Sequence, residues 1–147
     1  MSLRAVPFVI ASRRRGNLSY REHIEMVEIR RDDFSIDEVV GRMKSPKIGA
    51  IIAYVGTVRE FPEGTGLSFD EDDNAIQKLE EIRKDAIDRY DIEDVAIIHR
   101  VGSLSISENI LLVAVSASHR WAAFDACKSI INGIKDFHKS WKKEVRK

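Results

Sequence analysis

From Ile48 to Val58 the chain is almost wholly apolar, rich in β-branched residues and bounded by Gly49 and Gly56, which predicts a strand. Val95 to Ile98 and Ile110 to Ser116 repeat the pattern. Gly102 and the polar turn from Ser105 to Asn109 lie between them, so they read as neighbours in a hairpin. Met26 to Arg30 alternates and predicts an edge strand, and Leu67 to Phe69 a short strand after the turn-rich Phe61–Gly66 loop. Elsewhere the period lengthens. Ser35-Ile-Asp-Glu38 has capping-box spacing, Ile36, Val39, Val40 and Met43 then share a helical face, and Ser45-Pro46 stops the helix. Asp72 or Asp73 caps a second helix striped by Ile76, Leu79, Ile82, Ala86 and Ile87. A third is predicted from about Trp121 to Phe137, with Phe124, Cys127, Ile131 and Ile134 inward. Two adjacent strands before the last helix favour an α+β fold, a mixed or antiparallel sheet with flanking helices, over a doubly wound parallel one.

Residues 1–24 depart from this patterning, with five arginines before the first acid, one apolar patch from Val6 to Ala11 and no sustained period. They are expected to be an N-terminal extension or linker, and residues 25–147 a single domain of ordinary size. No apolar run approaches a membrane span, and the start lacks a secretory h-region. With Cys127 as the only cysteine, an internal disulfide is excluded, and a cytoplasmic protein is expected.

Charge matters through its distribution. The 24 basic and 24 acidic residues cancel, which gives no case for nucleic acid. Residues 60–94 hold 13 acids against 4 bases, whereas residues 135–147 hold six bases against Asp136 and Glu144. Such a chain is suited to gather an anion at its basic end.

The candidate chemistry lies around that end. His119-Arg120 stands where a strand gives way to a helix, a junction whose outward N–H groups favour an anion. Capping and a helix ion pair would explain the same two residues. Lys135 and Lys142 are seven positions apart, the second directly behind Trp141. A lysine near a helix end commonly serves the helix dipole; two near His119-Arg120 would let one have its pKa lowered for acid–base work. Arg59 ends a strand and opens a glycine-containing loop, a common place for a ligand-binding side chain and equally for a surface arginine. His99-Arg100 reads mainly as structural or as an interface element, and Cys127 as a buried, inert thiol. No zinc spacing, phosphate-binding glycine motif or Ser-His-Asp pattern is present.

Three segments carry a family resemblance. Gly49-Ala-Ile-Ile-Ala-Tyr-Val-Gly56-Thr-Val-Arg59 is the first. The second runs from His99-Arg100-Val-Gly102-Ser-Leu104 through Glu108 and Val113-Ala-Val-Ser-Ala to His119-Arg120-x-x-Ala123-Phe124. Lys135 with Trp141-Lys142-Lys143-Glu144 is the third. Together they resemble the large, catalytic subunit of molybdopterin synthase, in order from about Met26 to Glu144. Asn132 and Lys139-Ser140 stand where that family usually has an aspartate and a proline, and the chain ends at Lys147, short of the family's usual tail.

The resemblance implies an α/β-hammerhead fold and a homodimer, with a small ubiquitin-like sulfur-carrier subunit docked at each end. The carrier's thiocarboxylated Gly-Gly terminus would deliver sulfur twice to cyclic pyranopterin monophosphate, forming the molybdopterin dithiolene. Lys135 and Lys142 match the family's active-site lysines; Arg59, His119 and Arg120 match positions lining its anionic substrate pocket. No metal or other cofactor is expected, because the carrier brings the sulfur, and neither nucleic acid nor membrane is an expected partner. The alternative is a non-catalytic dimeric module that docks a ubiquitin-like or acidic partner.

Overall fold

The computed structural model describes residues 26–147 throughout and, before them, the backbone of Ser2–Phe8, Ala11–Ser12, Ser19–Tyr20 and the start of the strand at Ile24. In chain order the strands are β1 (Ser2–Phe8), β2 (Ala11–Ser12), β3 (Ser19–Tyr20), β4 (Ile24–Arg30), β5 (Ala50–Thr57), β6 (Gly64–Phe69), β7 (Asp94–Arg100), β8 (Gly102–Ser105), β9 (Asn109–Ala117) and β10 (Lys142–Arg146). The helices are α1 (Ile36–Met43), α2 (Asp73–Arg89) and α3 (Arg120–Trp141). The α+β class expected from the sequence is the one observed.

The main sheet has the order β1-β4-β7-β9-β5, with β4 parallel to β7 and the other pairs antiparallel. Its two central strands are apolar at nearly every position because both faces are covered. Val95, Ile97, Leu111, Val113 and Val115 belong to the cluster that includes Ile76 and Leu79 of α2 and Ala126, Ile130 and Ile134 of α3. The alternate residues Ala96, Ile98, Leu112 and Ala114 form two smaller clusters that include Met43 and Val39 of α1. Period-two alternation thus feeds two cores rather than one core and solvent.

Helix starts follow the sequence reading. Ser35 accepts the Glu38 N–H at 3.2 Å to begin α1, and Asp72 accepts the Asn74 N–H at 2.9 Å to begin α2. The third helix is longer than predicted, reaching Trp141. Its inward stripe is Ala123, Ala126, Cys127, Ile130, Ile134, His138 and Trp141. Phe124 falls off that stripe and is 50% exposed, against expectation; Ile131 is partly buried at its margin.

Three further corrections come from strand pairing. Met26–Arg30 is no edge, since β4 lies between β7 and Ser2–Phe8. Part of the expected extension is therefore the outer strand of this sheet, while Ala11–Ser12 pairs with Ser19–Tyr20. The hairpin expected from Val95 to Ser116 exists as β7–β9, but its connection holds a further strand. Gly102, at φ 95°, turns the chain out of β7 through backbone space that a side chain disfavours, and β8 then joins a second sheet of order β10-β6-β8. Neither β8 nor β10 was predicted.

Candidate active site

The site forms where the small sheet meets the end of α3. Beyond β5, the Val58 N–H donates to the Glu108 carbonyl at 3.0 Å, and the Val58 carbonyl accepts from the Ser107 N–H at 2.7 Å. Val58 is buried, so alternation turns Thr57 and Arg59 the other way, into a cavity of about 380 Å³. That volume lies within the ordinary range for small-molecule sites. Leu67 and Ile110 contribute apolar wall, Phe61 and Pro62 come from the preceding loop, and Lys135, His138 and Lys142 come from the end of α3 and the start of β10.

The end of α3 brings the last three together. Lys135 and His138 stand at i and i+3 on one side of α3, and Lys142 follows as the first residue beyond the helix. Trp141 anchors that end. Only 5% exposed, it packs near the rings of His99, Phe137 and Phe69, with centroids at 4.4, 5.2 and 5.3 Å, and its Nε1–H donates to the Asp70 carbonyl at 2.8 Å. The chain then extends, and β10 pairs with β6 so that Lys142 opposes Phe69 and Glu144 opposes Leu67. Lys142 and Glu144 line the cavity, whereas Lys143 turns away to Asp70.

The charges at the cavity are unevenly matched. Lys139 pairs with Asp136, Lys143 with Asp70, and Arg146 with Glu144. Among the described residues, Arg59, Lys135 and Lys142 have neither an ion pair nor a hydrogen bond from the side chain, although Glu60 and Glu144 also line the space. Three exposed cations facing one hollow create a positive potential available to a ligand anion.

Behind them lies a pair that sequence reasoning missed. His138 is 5% exposed and its Nε2 lies 2.8 Å from Nε2 of the fully buried His99, whose Nδ1 lies 2.7 Å from the Arg100 carbonyl. Burial, then the positive charges of Lys135 and Lys142, push His138 down to about 4. His99 is pushed down to about 3 by burial first and by His138 next. The available signal was the i, i+3 spacing of His138 from Lys135. His99-Arg100 is structural, as expected: Arg100 donates to the Arg31 carbonyl at 2.8 and 3.0 Å and to the Asn109 carbonyl at 3.1 Å. Cys127 is 4% exposed and burial pushes its thiol up to about 11, which fits an inert core residue.

His119 and Arg120 do not join this cavity within the chain. They sit, exposed, at the start of α3, with Arg120 lying 4.8 Å from the Trp121 ring centroid. Fifteen residues of continuous helix put Arg120 about 22 Å from Lys135 along the axis, a separation no side-chain rotation closes. Of the five candidate side chains, one chain brings Arg59, Lys135 and Lys142 together and leaves His119 and Arg120 apart from them. Near His119 and Arg120 are the exposed Trp121 and Phe124 and an apolar hollow of about 330 Å³ between β5 and α3, lined by Ile52, Tyr54, Phe124 and Ile131 among others.

Known proteins resemble this chain in sequence and fold. The family described as MoaE protein matches residues 29–137. The molybdopterin synthase catalytic subunit of Pyrococcus abyssi is 39% identical over 120 residues, covering 78% of this chain and 80% of that one. Molybdopterin synthase from Staphylococcus aureus superposes with a TM-score of 0.75 at 28% identity, over 85% of this chain and 94% of the other. Molybdopterin cofactor biosynthesis protein E from Burkholderia multivorans gives 0.70 at 35% identity, over 80% and 84%. A match running from the end of β4 into the lysine-bearing part of α3, with relatives alike over most of their length, makes the chain a member of the MoaE family, to which molybdopterin synthase catalytic subunits belong.

Proposed function

We propose that the cavity of Arg59, Lys135 and Lys142 is where sulfur passes from the thiocarboxylated end of a small ubiquitin-like carrier subunit to cyclic pyranopterin monophosphate. The observation that carries this reading is the convergence of three cations without acidic partners on one hollow, in a chain of this family. Donor and acceptor are both anions, and fixed positive charge lowers the cost of bringing them together. Lys142, at the start of β10, is assigned to the donor's carboxyl end. Lys135 is assigned to the transfer centre, where its ammonium stabilises the negative charge that builds as sulfur attacks and supplies protons for ring opening and loss of water. The carrier brings the sulfur, so neither Cys127 nor a metal is needed as the sulfur source.

A homodimer is part of the same proposal. An isologous pairing places equivalent faces together, and the exposed Trp121 and Phe124 beside the edge strand β5 supply apolar surface for it. In that assembly His119 and Arg120 serve the cavity of the second copy, which reconciles their role with their place at the far end of α3. The reaction is assigned to the cytoplasm, supported by a lone buried cysteine and by the lack, among the described residues, of a helix long and apolar enough to cross a membrane.

The test is reconstitution: the full chain, a thiocarboxylated small subunit and cyclic pyranopterin monophosphate, with dithiolene product measured directly. Product with the wild type and a loss of at least 100-fold in Lys135→Ala support the reading. Carrier binding without product would favour a docking module instead.

A further inference from the structure

His138 has a geometry that the sulfur-transfer reading does not use. A carbonyl oxygen only accepts, so the 2.7 Å contact between His99 Nδ1 and the Arg100 carbonyl puts a hydrogen on Nδ1. His99 is fully buried and neutral, which leaves its Nε2 as a bare acceptor. The 2.8 Å contact between the two rings then requires His138 to donate from Nε2. Neutral His138 is left with a lone pair on Nδ1, and this nitrogen has no hydrogen-bond partner among the described residues. Its ring lines the cavity that Lys135 and Lys142 also line.

We propose that His138 is a positioning residue of the transfer site: His99 sets its tautomer, and its Nδ1, unpartnered among the described residues, is the acceptor to which the equally unpartnered Lys135 ammonium turns when substrate fills the cavity, aiming that lysine at the reacting atoms. This rests on the sulfur-transfer reading and adds a residue to it. Lys135 is the partner because it stands three residues earlier on the same helix, the direction in which a helical side chain leans. Its charge also acts on both rings of the pair. The remaining surroundings leave little competition. Phe69 and Trp141 flank the ring with centroids at 5.1 and 6.3 Å, His99 approaches from β7, and Arg59, Glu60 and Glu144 lie elsewhere on the cavity wall. A neutral acceptor fixes an ammonium without neutralising it, which a carboxylate at the same place would do.

Three full-length forms test this: wild type, His138→Leu, which removes both hydrogen bonds, and His138→Gln, which keeps one donor and one acceptor. Each is assayed for dithiolene formation with a thiocarboxylated small subunit and cyclic pyranopterin monophosphate, and the imidazole tautomers are read by ¹⁵N NMR. Expected are a bare Nδ1 and protonated Nε2 on His138, a kcat at least tenfold lower for His138→Leu with KM changed less than threefold, and recovery of most of that loss by His138→Gln. A folded His138→Leu within twofold of wild type, equal impairment of both variants, or a protonated Nδ1 on His138 would overturn the proposal alone. No product from the wild type would overturn the sulfur-transfer reading and this inference with it.

Discussion

Lys142 and Lys143 are consecutive residues with opposite duties. Lys143 Nζ lies 2.7 Å from Asp70 Oδ2, on the side of β10 away from the cavity, while Lys142 lines the cavity with no acid holding its ammonium among the described residues. Strand alternation alone separates them, because Trp141 ends α3 and the chain enters β10 at the next residue.

The first prediction follows from that division. Lys142→Ala should reduce dithiolene formation by 100-fold or more, whereas Lys143→Ala should stay within about threefold of wild type. Both members of the Lys143–Asp70 pair are more than half exposed, so losing it should cost about 1 kcal/mol or less in urea unfolding.

Lys135→Ala is expected to leave stability within about 0.5 kcal/mol of wild type, since the side chain is exposed. Turnover should fall by about 10²–10³, the usual effect of deleting one group that stabilises developing charge. Removing this ammonium also removes a charge that disfavours protonation of His138, so the His138 pKa should rise above its value of about 4. An NMR titration of the imidazole reads this without any substrate, and an unmoved pKa would place Lys135 away from the pair.

The buried histidines make stability depend on acid. Both titrate well below 6.5 when folded, at about 3 and about 4, and near 6.5 when unfolded. The unfolded chain therefore binds more protons as pH falls through 6.5, and stability is lost progressively until the folded values are reached. Between pH 7 and pH 5 each histidine should remove roughly 2 kcal/mol, and His138→Gln should abolish about half of their joint effect in urea titrations at the two pH values.

Trp141 holds the turn that aims Lys142. Truncation to alanine should cost about 3–5 kcal/mol through the cavity left among Phe69, His99 and Phe137. Trp141→Phe should cost about 1 kcal/mol for the lost hydrogen bond to the Asp70 carbonyl and lower turnover less than truncation does. Thermal unfolding and dithiolene assays on the two variants separate anchoring from folding.

Gly66 tests the small sheet as a wall of the site. A Cβ there would fall 2.2 Å from the Leu104 carbonyl oxygen, so Gly66→Ala must force β6 away from β8. The expected cost is roughly 1–3 kcal/mol, with weaker substrate binding as Leu67 shifts. Wild-type stability and KM would show that the strands yield without disturbing the cavity.

What could be read along the chain was whatever depends on neighbours in sequence. Caps at Ser35 and Asp72, the apolar runs of β5, β7 and β9, and the stripe of α2 follow from local period and local hydrogen bonding, and they sufficed for the α+β class. The grouping of Arg59, Lys135 and Lys142 was legible through family resemblance, and for the two lysines through their seven-residue spacing as well. Tertiary structure decided the rest. β8 and β10 are short and lack a strong pattern; they are strands because β6 lies between them, supplied by a distant part of the chain. His138 is set apart from other polar residues near a helix end only by Phe69, His99 and Trp141, which close around it and remove its water. His119 and Arg120 looked like neighbours of the lysines because charge and proximity in sequence suggested it, but a rigid 22-residue helix holds its two ends apart. Local order is written in the spacing of side chains, whereas strand partners, desolvation and the distance between helix ends depend on which distant segments pack together.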